Sequence, residues 1–212
     1  LACFAVDTGM FVTPQLRCVN NPGSPMKYAF LLTIVLSIVN CGFVAAAPPA
    51  AELVRVEKIW DQAPHCAFTD LTLWRGKFYC AFREGRRHVS SDGKIRVLVS
   101  PNGNTWKSAG LVSLADFDLR DAGLSTTPDG RLMLLGGAAP RKNDGESSPT
   151  GTFVSFSEDG VTWTAPKIVV EPGRWLWRVT WHDKIAYGVA YGASAGKPFT
   201  SLLKSKDGIE FG

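Results

Sequence analysis

Charged side chains interrupt otherwise apolar stretches at four places, and these are the residues that could do chemistry. Asp70 sits inside Ala67-Phe-Thr-Asp70-Leu71. Arg83-Glu84 closes the run Phe78-Tyr-Cys-Ala-Phe and is followed by Arg86, Arg87 and His88. Arg120-Asp121 follows Leu119, and Arg178 stands between Trp177 and Trp181. A charge within an apolar strand is costly unless it is paired or serves a site. Carboxylates placed this way suit acid/base work or the orientation of an arginine, and arginines suit a forked grip on an anion. Asp70, Glu84 and Asp121 are therefore the catalytic candidates. Arg83, His88, Arg120, Trp177 and Arg178 are the substrate-binding candidates. A structural role stays open for each. Arg83-Glu84 and Arg120-Asp121 also suit ion pairs between neighbouring sheets, Arg178 a stacked seam, and His88 plain solvent exposure. Tyr187 and Tyr191 read as core.

The elements that must position these residues are announced by a repeat. Ser100-Pro-Asn-Gly-Asn-Thr-Trp106, Ser157-Glu-Asp-Gly-Val-Thr-Trp163 and Ser205-Lys-Asp-Gly-Ile-Glu-Phe211 are three copies of one motif. Asp-Gly or Asn-Gly makes a tight turn, the Asx side chain accepts backbone N–H groups within it, and the serine hydroxyl caps it. The closing aromatic folds back onto the strand pair. A β-branched or aliphatic run precedes each copy, and two further strands joined by a turn precede that run. Four antiparallel strands in roughly 50 residues, recurring, form the blade of a β-propeller. The units run over about 65–113, 118–170 and 175–212. No segment has a sustained helical period. A β-sandwich with Asp-Gly turns is the other all-β arrangement compatible with the pattern.

The motif Ser-x-Asp-Gly-x-Thr-Trp resembles the Asp-box, or bacterial neuraminidase (BNR) repeat, of the sialidase superfamily. The stretch Phe78–Arg86 followed by such a box is similar to the first blade of secreted bacterial exo-sialidase-like proteins. The resemblance implies a six-bladed propeller of sialidase type, of which about three blades fall in this chain. It implies a glycoside hydrolase acting on acidic sugars of glycans, or a carbohydrate-binding or scaffolding propeller without catalysis. It also implies three arginines on the sugar carboxylate, an aspartate as acid/base catalyst, and a tyrosine nucleophile paired with a glutamate. Asp92, in Ser-Asp92-Gly93, occupies a loop comparable to that of the acid/base residue, and is equally an ordinary turn. The Phe/Tyr-Arg-Ile-Pro motif of the family has no match; His65-Cys-Ala-Phe-Thr-Asp70 stands in its place. The tyrosine and its glutamate are expected on later blades, supplied beyond these three units or by a separate chain.

The first residues read as something other than fold. Met26-Lys27, the apolar run Ala29–Val44 and the small residues Ala45-Ala46-Ala47 have the layout of a secretory signal peptide cleaved after Ala46. Residues 1–25 read as an upstream extension, 26–46 as the signal peptide and 47–212 as a partial propeller. A secreted or periplasmic protein is expected, with no stable membrane anchor after cleavage.

Composition narrows the function classes. Of 212 residues, 45% are hydrophobic and 20% charged, a globular balance. The formal charge of +4 is scattered rather than gathered in a stripe, which argues against nucleic acid as a partner. No Cys/His spacing suits zinc, and Gly-rich phosphate loops are missing, so no metal or cofactor is expected. Cys66 and Cys80 fall on adjacent strands without obviously facing each other, which disfavours a disulfide between them.

Overall fold

The computed structural model describes residues 52–141, 149–194 and 196–212. The expected signal peptide (26–46) and upstream extension (1–25) lie outside the described residues. The chain divides into a unit spanning Lys58–Gly212 and another to which Glu52–Glu57 belong. Those six residues have no assigned strand, and Arg55 pairs with Glu57.

All regular structure among the described residues is strand, in three antiparallel sheets that are blades of a propeller. Blade 1 is β1 (His65–Trp74), β2 (Lys77–Gly85), β3 (Lys94–Ser100) and β4 (Lys107–Val112). Blade 2 is β5 (Phe117–Thr126), β6 (Leu132–Pro140), β7 (Gly151–Ser157) and β8 (Lys167–Val170). In blade 3 the first strand is broken into β9 (Arg174–Leu176) and β10 (Thr180–His182), both paired with β11 (Ile185–Ser194), which pairs with β12 (Lys197–Ser205). Beyond its turn the chain meets β12 again, where Gly212 and Lys204 exchange backbone hydrogen bonds of 2.9 and 3.0 Å.

The repeated turn has the same geometry three times. Gly103, Gly160 and Gly208 donate their N–H to the hydroxyls of Ser100, Ser157 and Ser205 at 2.8–2.9 Å. One side-chain oxygen of Asn102, Asp159 or Asp207 accepts the two N–H groups that follow the glycine, at 2.7–3.0 Å. Asn102 thus does everything the two aspartates do, because a single acceptor oxygen is all the turn requires. The three glycines sit at φ +75° to +77°, a region that disfavours any Cβ. Trp106, Trp163 and Phe211 pack back into three separate apolar clusters.

Two of those clusters are the seams between blades. Trp74, Tyr79, Ala81, Val97 and Val99 of blade 1 pack with Leu119, Leu124, Leu134 and Phe153 of blade 2. The other face of blade 2, with Met133, Leu135, Val154 and Phe156, packs on Leu176, Ala190 and Leu203 of blade 3. Burying such side chains contributes roughly 1.5–3 kcal/mol each. Both faces of blade 2 are therefore covered, which explains why β6 and β7 are buried almost throughout. Cys66 lies opposite Glu84 and Cys80 opposite Leu71, so no disulfide joins them; the Cys66 thiol is exposed and Cys80 is buried.

Candidate functional site at the inner strands

The inner strand of each blade carries one extra residue. Phe68 and Thr69 lie opposite Phe82 alone, Asp121 and Ala122 lie opposite Gly136 alone, and Trp177–Val179 lie opposite Gly188 and Val189. Such a bulge bends the strand and re-aims its side chains. Phe68 and Asp121 take the left-handed conformation, at φ 59° and 52°. The shared register makes Asp70, Gly123 and Arg178 equivalent positions, and likewise Ala67, Arg120 and Trp175. Of the charged residues on these strands, Asp70 and Arg178 share a position; Arg120 stands three residues earlier, just before the bulge, and Asp121 two residues earlier, on it.

Asp70 and Arg178 meet across the gap that Gly123 leaves. Arg178 Nη2 donates to Asp70 Oδ1 at 2.9 Å, and Asp70 Oδ2 accepts the Leu124 N–H at 2.7 Å. A Cβ on Gly123 would stand 3.9 Å from Arg178 Cγ, so the arginine passes directly over the glycine. Asp70 is largely enclosed, whereas the Arg178 side chain is 51% exposed. Trp177, in the break between β9 and β10, is exposed to the same extent.

Arg83 belongs to the wall rather than to its surface. It is 0% exposed. Its Nε donates to Asp118 Oδ1 at 3.0 Å, Nη1 to the Arg87 carbonyl at 2.8 Å, and Nη2 to the Ser90 carbonyl and hydroxyl at 3.0 Å. The other oxygen of Asp118 accepts from Arg120. This buried Arg83–Asp118–Arg120 group ties the loop after β2 to blade 2, and it fits tightly: a Cβ on Gly93 would strike the Asp118 carboxylate. The expectation that Arg83 grips a substrate therefore meets a side chain with no exposed surface. Glu84 points to the opposite face of blade 1, where Arg96 grips both its oxygens at 2.7 and 3.1 Å and Trp60 Nε1 donates at 3.2 Å. That side chain is engaged in an ion pair away from the inner strands. Asp92 accepts the Arg86 N–H with both oxygens and shapes the loop 86–92. Burial opposes its ionisation, and bonds from Ser90 and Arg86 outweigh it, leaving the carboxyl below its ordinary range.

The remaining candidates gather around Asp121. Burial pushes its carboxyl above the ordinary aspartate range, against the pull of Arg120, His88 and Arg83 nearby. Burial and the charge of Asp121 together push the Tyr191 hydroxyl up. Tyr191 stacks on Trp175, with ring centroids 5.5 Å apart. Arg120 and Trp175 press on one point, for a Cβ on Gly137 would lie 3.1 and 3.2 Å from their side chains. His88 is exposed and packs on Phe68 and His65, at 5.0 and 5.4 Å between centroids. The structure thus brings Asp121, Arg120 and His88 into one neighbourhood, pairs Asp70 with Arg178, and leaves Arg83 and Glu84 outside.

Sequence reasoning missed Asp118, although a charge between Phe117 and Leu119 carries the same signal as Asp70. It read Tyr191 as core, whereas the residue is 43% exposed. Trp175, Phe68 and His65 carry no local signal, because their relevance arises from the bulges. Among the described residues, no three His, Cys, Asp or Glu side chains are grouped to hold a metal ion.

No protein-family model matches this sequence, and no curated protein sequence matches it. Solved structures do match in shape. The Hadza microbial sialidase Hz136 is similar over 70% of this chain and 37% of its own, at 17% identity and a TM-score of 0.59. A protein of unknown function from Dyadobacter fermentans matches over 70% and 53%, at 18% identity and TM-score 0.55. Zg3597, a family 117 glycoside hydrolase from Zobellia galactanivorans, matches over 67% and 53%, at 13% identity and TM-score 0.51. The chain spans between about a third and a half of the length of these structures. At such identities the likeness establishes the fold: a propeller of the kind found in glycoside hydrolases.

Proposed function

We propose that this chain forms part of the catalytic channel of an exo-sialidase-like glycoside hydrolase, exported and acting on acidic sugars of glycans, with Asp121 as its acid/base group. The observation that carries this reading is the setting of Asp121, a carboxyl on a left-handed bulge whose burial favours the protonated form. A retained proton is what protonation of a glycosidic oxygen needs. The proton passes to the leaving alcohol as the bond to the anomeric carbon breaks, and the resulting carboxylate then takes a proton from the incoming water. The pull of Arg120 and His88 opposes the burial effect, so the group gives up its proton as well as holding it. Arg178, half-exposed, turns toward a sugar carboxylate with Asp70 orienting it, and exposed Trp177 offers a flat apolar face to the ring.

Hydrolysis of fluorogenic sialosides and neutral glycosides tests this. Asp121→Asn is expected to lower sialoside turnover by about 10²–10⁴-fold, and Arg178→Met to raise KM for the anionic substrate selectively. Turnover of neutral glycosides alone would reject the acidic-sugar part. Export is tested by N-terminal sequencing of protein recovered outside the cytoplasm, with Ala47 expected first. A second reading, a non-catalytic carbohydrate-binding propeller, is favoured by one observation: Arg178 and Asp70 already neutralise each other. Binding of sialylated glycan without hydrolysis of any substrate would select it.

A further inference from the structure

The bulges of blades 1 and 2 carry two unlike side chains at one position. Phe68 follows Ala67 as Asp121 follows Arg120, and both take the left-handed conformation, at φ 59° and 52°. Their counterpart in blade 3, Leu176, keeps ordinary strand pairing with Ala190 and has no positive φ. Its side chain enters the seam with blade 2 and is fully buried. Phe68 belongs to none of the three apolar clusters. Asp121 stays half-buried although blade 2 has a neighbour packed on each face. The left-handed backbone therefore aims this position out of the seams, and blade 2 shows that flanking blades do not close over it. A bulky residue in that conformation is uncommon and costs free energy that glycine or asparagine would not. Such strain is retained where the side chain has a use.

We propose that Phe68 is a sugar-contacting residue, its ring taking the C–H face of the pyranose whose glycosidic oxygen Asp121 protonates. The two side chains leave neighbouring blades at the same register and with the same backbone turn, so ring and carboxyl stand side by side on the inner surface. The loop 86–92 joins them. His88 packs on Phe68 with ring centroids 5.0 Å apart, and its pull reaches the Asp121 proton. Arg83 holds that loop through the carbonyls of Arg87 and Ser90. A phenyl ring has neither donor nor acceptor, and its electron-rich face attracts the weakly positive C–H bonds of a sugar. It therefore favours a pyranose that turns several C–H bonds to one side, and it keeps water off the bond being broken. Blade 1 reads the sugar by apolar contact and not by charge, since its own Arg83 is sealed in the wall. The inference rests on the reading of Asp121 as the acid/base group of a glycoside hydrolase.

Titration calorimetry on the full chain tests it, with a thio-linked sialoside and a thio-linked galactoside as probes, because a sulfur bridge resists hydrolysis. Phe68→Gly and Phe68→Asn remove the ring while accepting the left-handed backbone, so both are expected to keep the fold, with circular dichroism as the check. Each is expected to raise the Kd of the bound probe about tenfold, and Phe68→Tyr, which keeps the ring, to stay within about twofold of wild type. On hydrolysable sialosides the same two variants are expected to raise KM by a similar factor. A ring that only props up the loop 86–92 would instead lower Tm and leave Kd where it was. Unchanged Kd in folded Phe68→Gly and Phe68→Asn would overturn the proposal, as would a wild type that binds neither probe. The reaction is judged separately: undiminished turnover in Asp121→Asn rejects the acid/base reading, while the Phe68 contact is read from Kd alone.

Discussion

Replacing Asp118 by alanine separates a wall residue from a ligand-binding one. Arg83 is fully buried, and Asp118 supplies its counter-charge through contacts of 3.0 Å from Nε and Nη2. Without Asp118 the guanidinium stays desolvated, with neutral oxygens of Arg87 and Ser90 as its remaining partners. Breaking a buried ion pair from one side costs about 3–5 kcal/mol. The three surviving acceptors place Asp118→Ala near the low end, at about 3 kcal/mol. Arg120 adds less to the loss than Arg83, because its side chain is 22% exposed whereas that of Arg83 is fully buried. At about 2–4 °C per kcal/mol for a domain of this size, Tm falls by roughly 6–12 °C. Urea unfolding followed by tryptophan fluorescence gives the same quantity, with an unchanged m-value showing that the unfolded state is not the cause. The double variant Arg83→Met, Asp118→Leu removes both charges and is expected to recover most of the loss. A cost below about 1 kcal/mol for Asp118→Ala, or a double variant no better than the single one, would refute the assignment of Arg83 to the wall.

Three further outcomes follow from the geometry. Asp121→Asn should raise Tm at pH 7. The folded state holds the Asp121 proton more tightly than the unfolded chain does, so the wild type is relatively destabilised once the pH rises above the ordinary aspartate value of about 3.9. The gain should vanish in scans at lower pH. Asp159→Ala should destabilise the second repeated turn, whereas Asp159→Asn should be close to neutral, since Asn102 fills the same role in the first. The N–H groups of Thr162 and Val161 hold the Asp159 carboxyl below its usual range, so its contribution is present above that range and lost as pH falls through the lowered value. Thermal scans of wild type and Asp159→Asn should therefore begin to diverge as pH falls below the ordinary aspartate value of about 3.9, and not above it. Gly160→Ala combines φ +77° with a Cβ 2.6 Å from two carbons of the Tyr79 ring, and should cost at least about 1–2 kcal/mol by chemical denaturation.

The proposed glycan chemistry follows a different logic from the fold. A shared shape at 13–18% identity fixes where strands lie, while activity rests on a few side chains at their inner ends. Asp121, Arg120 and His88 come together there because one strand bulge and one loop deliver them. Stability and chemistry share that corner: Arg120 braces Asp118 on one side and draws down the proton affinity of Asp121 on the other. Variants of Arg120 should therefore alter Tm and pH profile together, a signature that neither role produces alone.

What the sequence determined by itself was local. The turn of Ser157-Glu-Asp-Gly is closed by hydrogen bonds that reach no further than three residues, so its geometry is readable from residue types alone. Strand alternation and the recurrence of that turn then dictate four-stranded blades, because each unit buries its apolar faces only against another like it. The candidates Asp70, Arg120, Asp121 and Arg178 were visible as charges in apolar runs, a signal that registers unusual burial and is silent about the partner. Only the tertiary structure assigned the partners. Asp70 and Arg178 are 108 residues apart and meet because blade 2 presents a glycine between them. Arg83 and Glu84 are adjacent in the chain, yet one is sealed against blade 2 and the other is held on the opposite face. Successive side chains of a strand point to opposite sides, and which side meets a neighbouring blade is settled by packing.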